Sequence, residues 1–561
     1  MVRLAITLTV FLSLTACVNQ QTAQTIKPNV QAVASAHPSA TQAGIDVLNK
    51  GGNAFDAAVA VSAALAVVEP FGSGLGGGGF WLLHRASDGQ QIMIDGRETA
   101  PQAAHRDMYL DEYGEPIKSA SVDGALAAGI PGLPAALVHL SKHYGQLPLS
   151  VSLERSIALA KNGFAVNKHY QRLVKFRKNV LLSNESAKAI FLNNGNVPEV
   201  GRLIKQADLA RTLESLAAEG FNGFYKGQVA RKLVSGVQQA GGIWSMQDLE
   251  NYRVKEREPV VTQYNGMKVT SAALPSSGGL VLSIALNILE QYDLAAMDEA
   301  QRIHVTVEAM KRAYRDRALY MGDSDFVDVP IAKLTDKSYA HNVSNNIDLN
   351  AATPSQKLTG LNEIEGHDTT HFSIMDKDGN RVAATLSVNY PFGSGFVPKG
   401  TGVLLNDEMD DFSLKQSTPN VYGLVGGKAN AIEAGKRMLS SMSPTFIETK
   451  DKVGILGTPG GSRIISMVLL AILDAAKGNS PESWVSLPRY HHQYLPDAIQ
   501  HEPEALSNEL MQKLKRKGHK LKSVGRDYGN MHAIMWDKKS NKLVAASDRR
   551  GLGAAVVEEV R

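Results

Sequence analysis

The sequence predicts an α/β fold in which sheets are covered by helices in three or four layers. Apolar residues make up 43% of the 561 positions and charged residues 20%, enough to bury one large core or two. Segments of helical and strand-like pattern alternate along the chain. Neither an internal repeat nor a low-complexity stretch breaks that alternation.

Taken in order, Arg3 precedes an apolar run from Leu4 to Leu14 that ends in Leu14-Thr15-Ala16-Cys17. Residues 1–16 read as an export signal, too short to span a bilayer in a mature protein. Their ending resembles the bacterial lipobox, which implies that Cys17 is lipidated, that residues 17–30 form a polar tether, and that Asn19 favours the outer membrane. Cys17 is the sole cysteine, so no internal disulfide is possible. Ser39 to Lys50 and Asn53 to Val68 follow as alanine-rich helices, with Gly51-Gly52 as a stop and Asn53 as N-cap. Phe80 to His84 and Gln91 to Asp95 read as strands. Four further helices are expected at Pro148 to Asn162, Leu209 to Glu219, Gln228 to Ala240 and Ala300 to Met321. Asp348 to His367 is polar and reads as an exposed loop in which a chain break is tolerable. Short strands come next, at Thr370 to Met375, Val382 to Val388, Thr445 to Glu448 and Lys452 to Leu456, before an apolar helix from Ile464 to Ala475.

Several chemistries are excluded. The net charge of +4, from 59 basic and 55 acidic residues, forms no stripe of the kind nucleic-acid binding needs. His371, His491 and His492 fall in no metal-binding spacing, so no metal or other cofactor is expected, and His371 reads as a buried structural residue. The run Gly72-Ser73-Gly74-Leu75-Gly76-Gly77-Gly78-Gly79 matches a dinucleotide fingerprint in letters only, because it follows a helix and opens a strand. It reads as a tight, close-packed passage near an active site.

Four clusters remain. Asp368-Thr369-Thr370-His371-Phe372-Ser373 joins the polar loop to a strand, and a threonine freed as an N-terminus carries its own base, an α-amine of pKa roughly 7.7 to 8.0. Gly457-Thr458-Pro459-Gly460-Gly461-Ser462 lies between a strand and a helix, the order that points backbone N–H groups at a developing oxyanion. Hydroxyls cluster at Leu439-Ser440-Ser441-Met442-Ser443-Pro444, and carboxylates at Met409-Asp410-Asp411-Phe412.

Together with Asn406-Asp407-Glu408, these motifs resemble, in order, those of the γ-glutamyltranspeptidase family of N-terminal nucleophile hydrolases. The likeness extends upstream through Gly74 to Phe80, Gly96-Arg97-Glu98-Thr99-Ala100-Pro101, Gly129-Ile130-Pro131-Gly132 and Pro275-Ser276-Ser277-Gly278-Gly279. It implies a four-layer αββα sandwich made as a precursor and cut between Asp368 and Thr369. A large chain (31–368 beyond the tether) and a small one (369–561) would then be held together without a covalent bond. It further implies Thr369 as nucleophile, Ser387 orienting it, and Gly460 and Gly461 as oxyanion donors. Arg97, or nearby Arg106, would hold a donor α-carboxylate with Ser440 and Ser441, while Asn389, Glu408 and Asp411 hold its ammonium. Tyr422 would belong to a lid spanning Gln416 to Asn430. The implied substrates are glutathione and other γ-glutamyl compounds, with water, amino acids or peptides as acceptors, in the periplasm of a bacterial envelope. A glutaryl-cephalosporin acylase or a poly-γ-glutamate-processing enzyme is the alternative.

Overall fold

The computed structural model describes residues 26–358, 369–414 and 426–559. Two antiparallel sheets lie face to face between two layers of helices. The first runs, edge to edge, Ala554–Glu559, Val30–Ser35, Thr370–Met375, Arg381–Ser387, Gly78–His84, Gln91–Gly96, Lys255–Arg257. The second runs Lys542–Ser547, His532–Asp537, Lys452–Gly457, Thr445–Glu448, Met267–Ser271, Val260–Tyr264. Small residues of the first sheet, Ala32, Ala34 and Ala383, meet Phe446, Ile455 and Ile534 of the second in a buried inter-sheet core. Burying a side chain such as Phe446 contributes about 1.5–3 kcal/mol, so this seam needs no disulfide.

On the outer face of the first sheet the helices Pro38–Asn49 and Ala54–Val68 share a core with Trp81, Phe372 and Leu386. Asn53 caps the second helix as expected: its side chain accepts from the Phe55 and Asp56 N–H groups, and Asp56 returns a bond to the Asn53 N–H. Every residue of that helix is buried, which explains its near absence of polar side chains. The fourth layer is Gly278–Leu289, Glu299–Tyr320 and Ile464–Ala476, packed on the second sheet through Leu280, Val468 and Ala533.

The glycine run has a steric cause. A Cβ on Gly76 would stand 2.1 Å from the Leu404 carbonyl oxygen, one on Gly77 2.1 Å from that of Ser387, and one on Gly78 2.4 Å from that of Gly96. Three backbone segments therefore pass closer than any side chain allows.

Strands from before and after residue 369 share both sheets: Val30–Ser35 lies between Ala554–Glu559 and Thr370–Met375 in the first, and Thr445–Glu448 pairs with Met267–Ser271 in the second. The described part of the loop expected at Asp348 to His367, residues 348–358, is largely exposed as read, but it is anchored around Thr353 and Ser355. Ser355 is buried, its N–H donating to Asp497 at 2.9 Å and its hydroxyl to the Tyr494 carbonyl at 2.6 Å. Lys311 donates to the Thr353 carbonyl at 2.6 Å. Buried ions of the helix Glu299–Tyr320 thus hold what the sequence shows only as a polar run.

Candidate active site

Thr369 stands one residue ahead of the strand Thr370–Met375. That strand pairs Thr370 with Leu386, so the next step of the register sets Ser387 opposite Thr369. The Gly460 N–H donates to Thr369 Oγ1 at 3.0 Å. Thr370 fixes the junction from behind, its hydroxyl donating to buried Glu69 at 2.8 Å. Gly72, first of the glycine run, packs against the Thr369 carbonyl.

The donor turn lies between Lys452–Gly457 and Ile464–Ala476. Gly460 has φ 141° and Gly461 φ 56°, conformations that side chains resist, so the turn that aims the Gly460 N–H at the threonine requires both glycines. Ser440 is fastened to the segment before the helix Gly278–Leu289: its N–H donates to the Pro275 carbonyl at 2.8 Å and its carbonyl accepts from the Ser277 N–H at 2.8 Å. On the opposite wall is the short turn Glu408–Asp411. Asn389, at φ 72°, follows the end of Arg381–Ser387, and its N–H donates to Ser387 Oγ at 2.7 Å.

Arg97, 1% exposed, emerges from the strand Gln91–Gly96 and reaches both acids, Nη1 to Glu408 at 2.7 Å and Nη2 to Asp411 at 2.6 Å. Breaking a buried pair of this kind by removing one partner costs about 3–5 kcal/mol, because the other charge is left behind. Burial, reinforced by Asp411 and opposed by Arg97, pushes the Glu408 carboxyl up to about 7. Asp411 is raised too, again by burial against the pull of Arg97. Glu98 lies 3.7 Å from Arg97 and neither of its carboxyl oxygens has a hydrogen-bond partner among the described residues. Burial and the charge of Glu408 hold it well above the carboxylate range, which favours its protonated form.

Of the residues singled out from the sequence, Thr369, Arg97, Ser387, Asn389, Glu408, Asp411, Ser440, Ser441 and Gly461 line one narrow pocket of about 20 Å³. Arg106 does not join them; it is exposed, so of these two arginines the one that lines the pocket is Arg97. Cys17, Asp368 and Tyr422 lie outside the described residues. The last residues of the expected lid segment are described, and Asn430 Nδ2 donates to the Asp411 carbonyl at 2.7 Å. Sequence reasoning missed Asn430, Glu98 and a second buried cation, Arg317, which lines the same pocket. The one available signal was that Glu98 and Pro275 to Gly279 belong to the upstream motifs.

A second cavity, about 260 Å³, opens on the other side of Thr369 and Gly460 between Phe71, His169, Tyr528 and Arg550. His371 is buried, with Nδ1 2.9 Å from Thr385 Oγ1 and Nε2 3.3 Å from Ser373 Oγ, and burial holds it well below its usual pKa. It is a neutral structural residue. Among the described residues one group has metal-ligand proximity, His304, Glu308 and His519. Its two imidazoles bond each other at 2.7 Å, and Glu308 is ion-paired with Lys311 and Arg312. No member of it touches the Thr369 pocket.

A threonine heading an inner strand of an αββα sandwich, its hydroxyl against backbone donors, defines the N-terminal nucleophile hydrolases. The sequence profile of the gamma-glutamyltranspeptidase family matches residues 40–558, and the chain belongs to that family. It is 42% identical to the glutathione hydrolase proenzyme of Escherichia coli K12 over 93% of this chain and 90% of that one. Among solved structures, the cephalosporin acylase of Bacillus halodurans superposes with a TM-score of 0.82 at 26% identity, covering 98% of this chain and 99% of that one. A chain of Helicobacter pylori gamma-glutamyltranspeptidase superposes at 0.57 with 40% identity, covering 59% of this chain and 95% of that one.

Proposed function

We propose that this protein is a self-cleaving γ-glutamyltransferase and glutathione hydrolase. The observation that carries the reading is the pocket beside Thr369 in which Arg97 and two serine hydroxyls stand near Glu408 and Asp411. Such a set suits a zwitterion: cation and hydroxyls for an α-carboxylate, acids and the Asn389 amide oxygen for an α-ammonium. Arg97 bonds Glu408 and Asp411 directly, so the two halves of the set are held in register before a ligand arrives.

In maturation, Thr369 Oγ1 attacks the Asp368 carbonyl, the C–N bond breaks and the proton passes to the departing amine. The resulting ester is hydrolysed by water, leaving the Asp368 carboxylate and a free Thr369 amine. In turnover that amine takes the hydroxyl proton, directly or through water, as Oγ1 adds to the γ-carbonyl of the donor. The N–H groups of Gly460 and Gly461 stabilise the tetrahedral oxyanion; in support, the Gly460 N–H lies 3.0 Å from Oγ1, beside the centre that Oγ1 attacks. The leaving amine departs protonated on the wide side, and water or an amino acid or peptide amine enters there to take the γ-glutamyl group. Ser387, opposite Thr369, orients the nucleophile.

The division 31–368 and 369–561 has in its support that strands of both parts share each sheet, which would hold two cut chains together without a covalent bond. Export and attachment to the outer membrane through Cys17 form part of the proposal on the strength of residues 1–17 alone. Among the described residues no helix is long and apolar enough to cross a membrane. An acylase reading has the B. halodurans superposition behind it, but a glutaryl group would set a methylene where Glu408 and Asp411 converge. Rates of aniline release from γ-glutamyl and glutaryl anilides decide between them. The γ-glutamyl compound is expected to be strongly preferred, and equal or better use of glutaryl overturns the ammonium assignment.

A further inference from the structure

Arg317 occupies the last turn of the helix Glu299–Tyr320, is 4% exposed, and lines the narrow pocket beside Arg97. The two cations differ in what they bond. Arg97 is neutralised by Glu408 and Asp411, whereas Arg317 makes no ion pair among the described residues and contacts only hydroxyls. Its Nε donates to Ser277 Oγ at 2.9 Å, and Ser277 in turn donates to the Ser440 carbonyl at 2.7 Å. Its Nη2 donates to Ser441 Oγ at 3.3 Å.

A serine hydroxyl that accepts from a guanidinium keeps its own proton for another acceptor. Ser441 is in that state, and so is Ser440, whose Oγ accepts from the Met442 N–H at 3.1 Å. Both hydroxyls therefore turn a free donor toward the pocket. Asp411, the acid that acts on Arg317 across the pocket, is already bonded to Arg97, so a buried cation whose own hydrogen bonds go to hydroxyls leaves positive charge there, and an anion is its natural complement. Resting on the γ-glutamyl reading above, we propose that Arg317 is a positioning residue for donor recognition: it fixes Ser441 as a hydrogen-bond donor and supplies the charge that makes an α-carboxylate obligatory on the donor. Burial lowers its pKa only to about 10, so it stays charged at neutral pH.

The test compares Arg317→Gln and Arg317→Lys, purified as self-processed protein, on γ-glutamyl anilide and on 4-aminobutyryl anilide, which lacks only the α-carboxylate. For Arg317→Gln the KM of the γ-glutamyl anilide should rise on the order of 10- to 100-fold, the range lost with one charge-assisted hydrogen bond, while kcat stays within about threefold. Arg317→Lys, which keeps the charge, should fall between Arg317→Gln and the parent. The 4-aminobutyryl anilide should be used equally by all three proteins. In a double-mutant cycle Arg317→Gln and Ser441→Ala should be clearly less than additive, since part of the Arg317 effect passes through Ser441. Equal losses on both donors, additive losses with Ser441→Ala, or an unchanged γ-glutamyl KM would overturn the proposal. Should Arg317→Gln fail to mature, the two donors compared in Arg317→Lys decide by the same criterion. A parent protein that does not use γ-glutamyl anilide at all sinks the functional reading itself, whereas a parent that uses it with an indifferent Arg317→Gln sinks only the role of Arg317.

Discussion

The two sides of Thr369 are built on opposite plans. The narrow side is buried, about 20 Å³ in volume, and walled by ions and hydroxyls that bond one another: Arg97 to Glu408 and Asp411, Arg317 to Ser277 and Ser441. The wide side, about 260 Å³, is bordered by aromatic rings and by the exposed cations Arg172 and Arg526, with the more buried Glu69 and Arg550 also lining it. Its one imidazole, His169, is pushed down to about 4 by burial and by those two arginines, so it is uncharged at neutral pH. Fixed buried charges read one chemical group strictly, because any ligand that fails to match leaves a charge without its partner. Exposed charges around a roomy cavity contribute little each and tolerate variety. The difference teaches why an enzyme of this kind should be strict about the acyl half of its substrate and lenient about the amine half.

The largest change should come where both sides meet. Thr369→Ala is expected to remain a single chain on denaturing electrophoresis and to lose activity by a factor of about 10⁴ or more, as loss of a covalent nucleophile does elsewhere. Asp411→Ala breaks the narrow side alone: maturation should proceed, while donor KM rises on the order of 10- to 100-fold and acceptor preference stays put. A shift in acceptor preference as large as the loss of donor affinity would erase the division between the two sides. Next comes pH. Glu408 is raised to about 7, so it loses its proton, and gains the charge that attracts the donor ammonium, as pH rises through that value. Donor KM should therefore fall from pH 6 to 8, and Glu408→Gln should flatten that limb. The rise of kcat with pH, set by the Thr369 amine near roughly 7.7 to 8.0, should survive the substitution. The smallest effect belongs to the wide side, where Arg526→Ala is expected to move donor KM by less than about threefold, in keeping with an exposed charge.

Much of this was legible in the chain. The alternating segments gave the helix Ala54–Val68 with its Asn53 cap, and the strand and helix on either side of the Gly457 to Ser462 turn. The residues of the narrow side came from motifs, since spacing alone cannot say that Arg97 and Asp411, 314 positions apart, share two ions' worth of contact. What escaped has physical reasons. The helix Gly278–Leu289 opens with two glycines after two serines, a pattern that reads as loop until packing supplies the helix. Strands Lys542–Ser547 and Ala554–Glu559 are sheet edges, where half-exposure blurs the alternation, whereas His532–Asp537 is buried on both faces and so shows no alternation to read. Arg317 looks, by position, like a solvated cation at a helix C-terminus; only tertiary structure buries it.

The central claim is that Thr369 serves twice, first against its own chain and then against the donor. N-terminal sequencing of the smaller band of purified protein tests it most directly. The expected sequence is Thr-Thr-His-Phe-Ser, with the activity residing in the two-chain form. A protein that stays one chain yet hydrolyses γ-glutamyl anilide, or a small band that starts at any other residue, would contradict it.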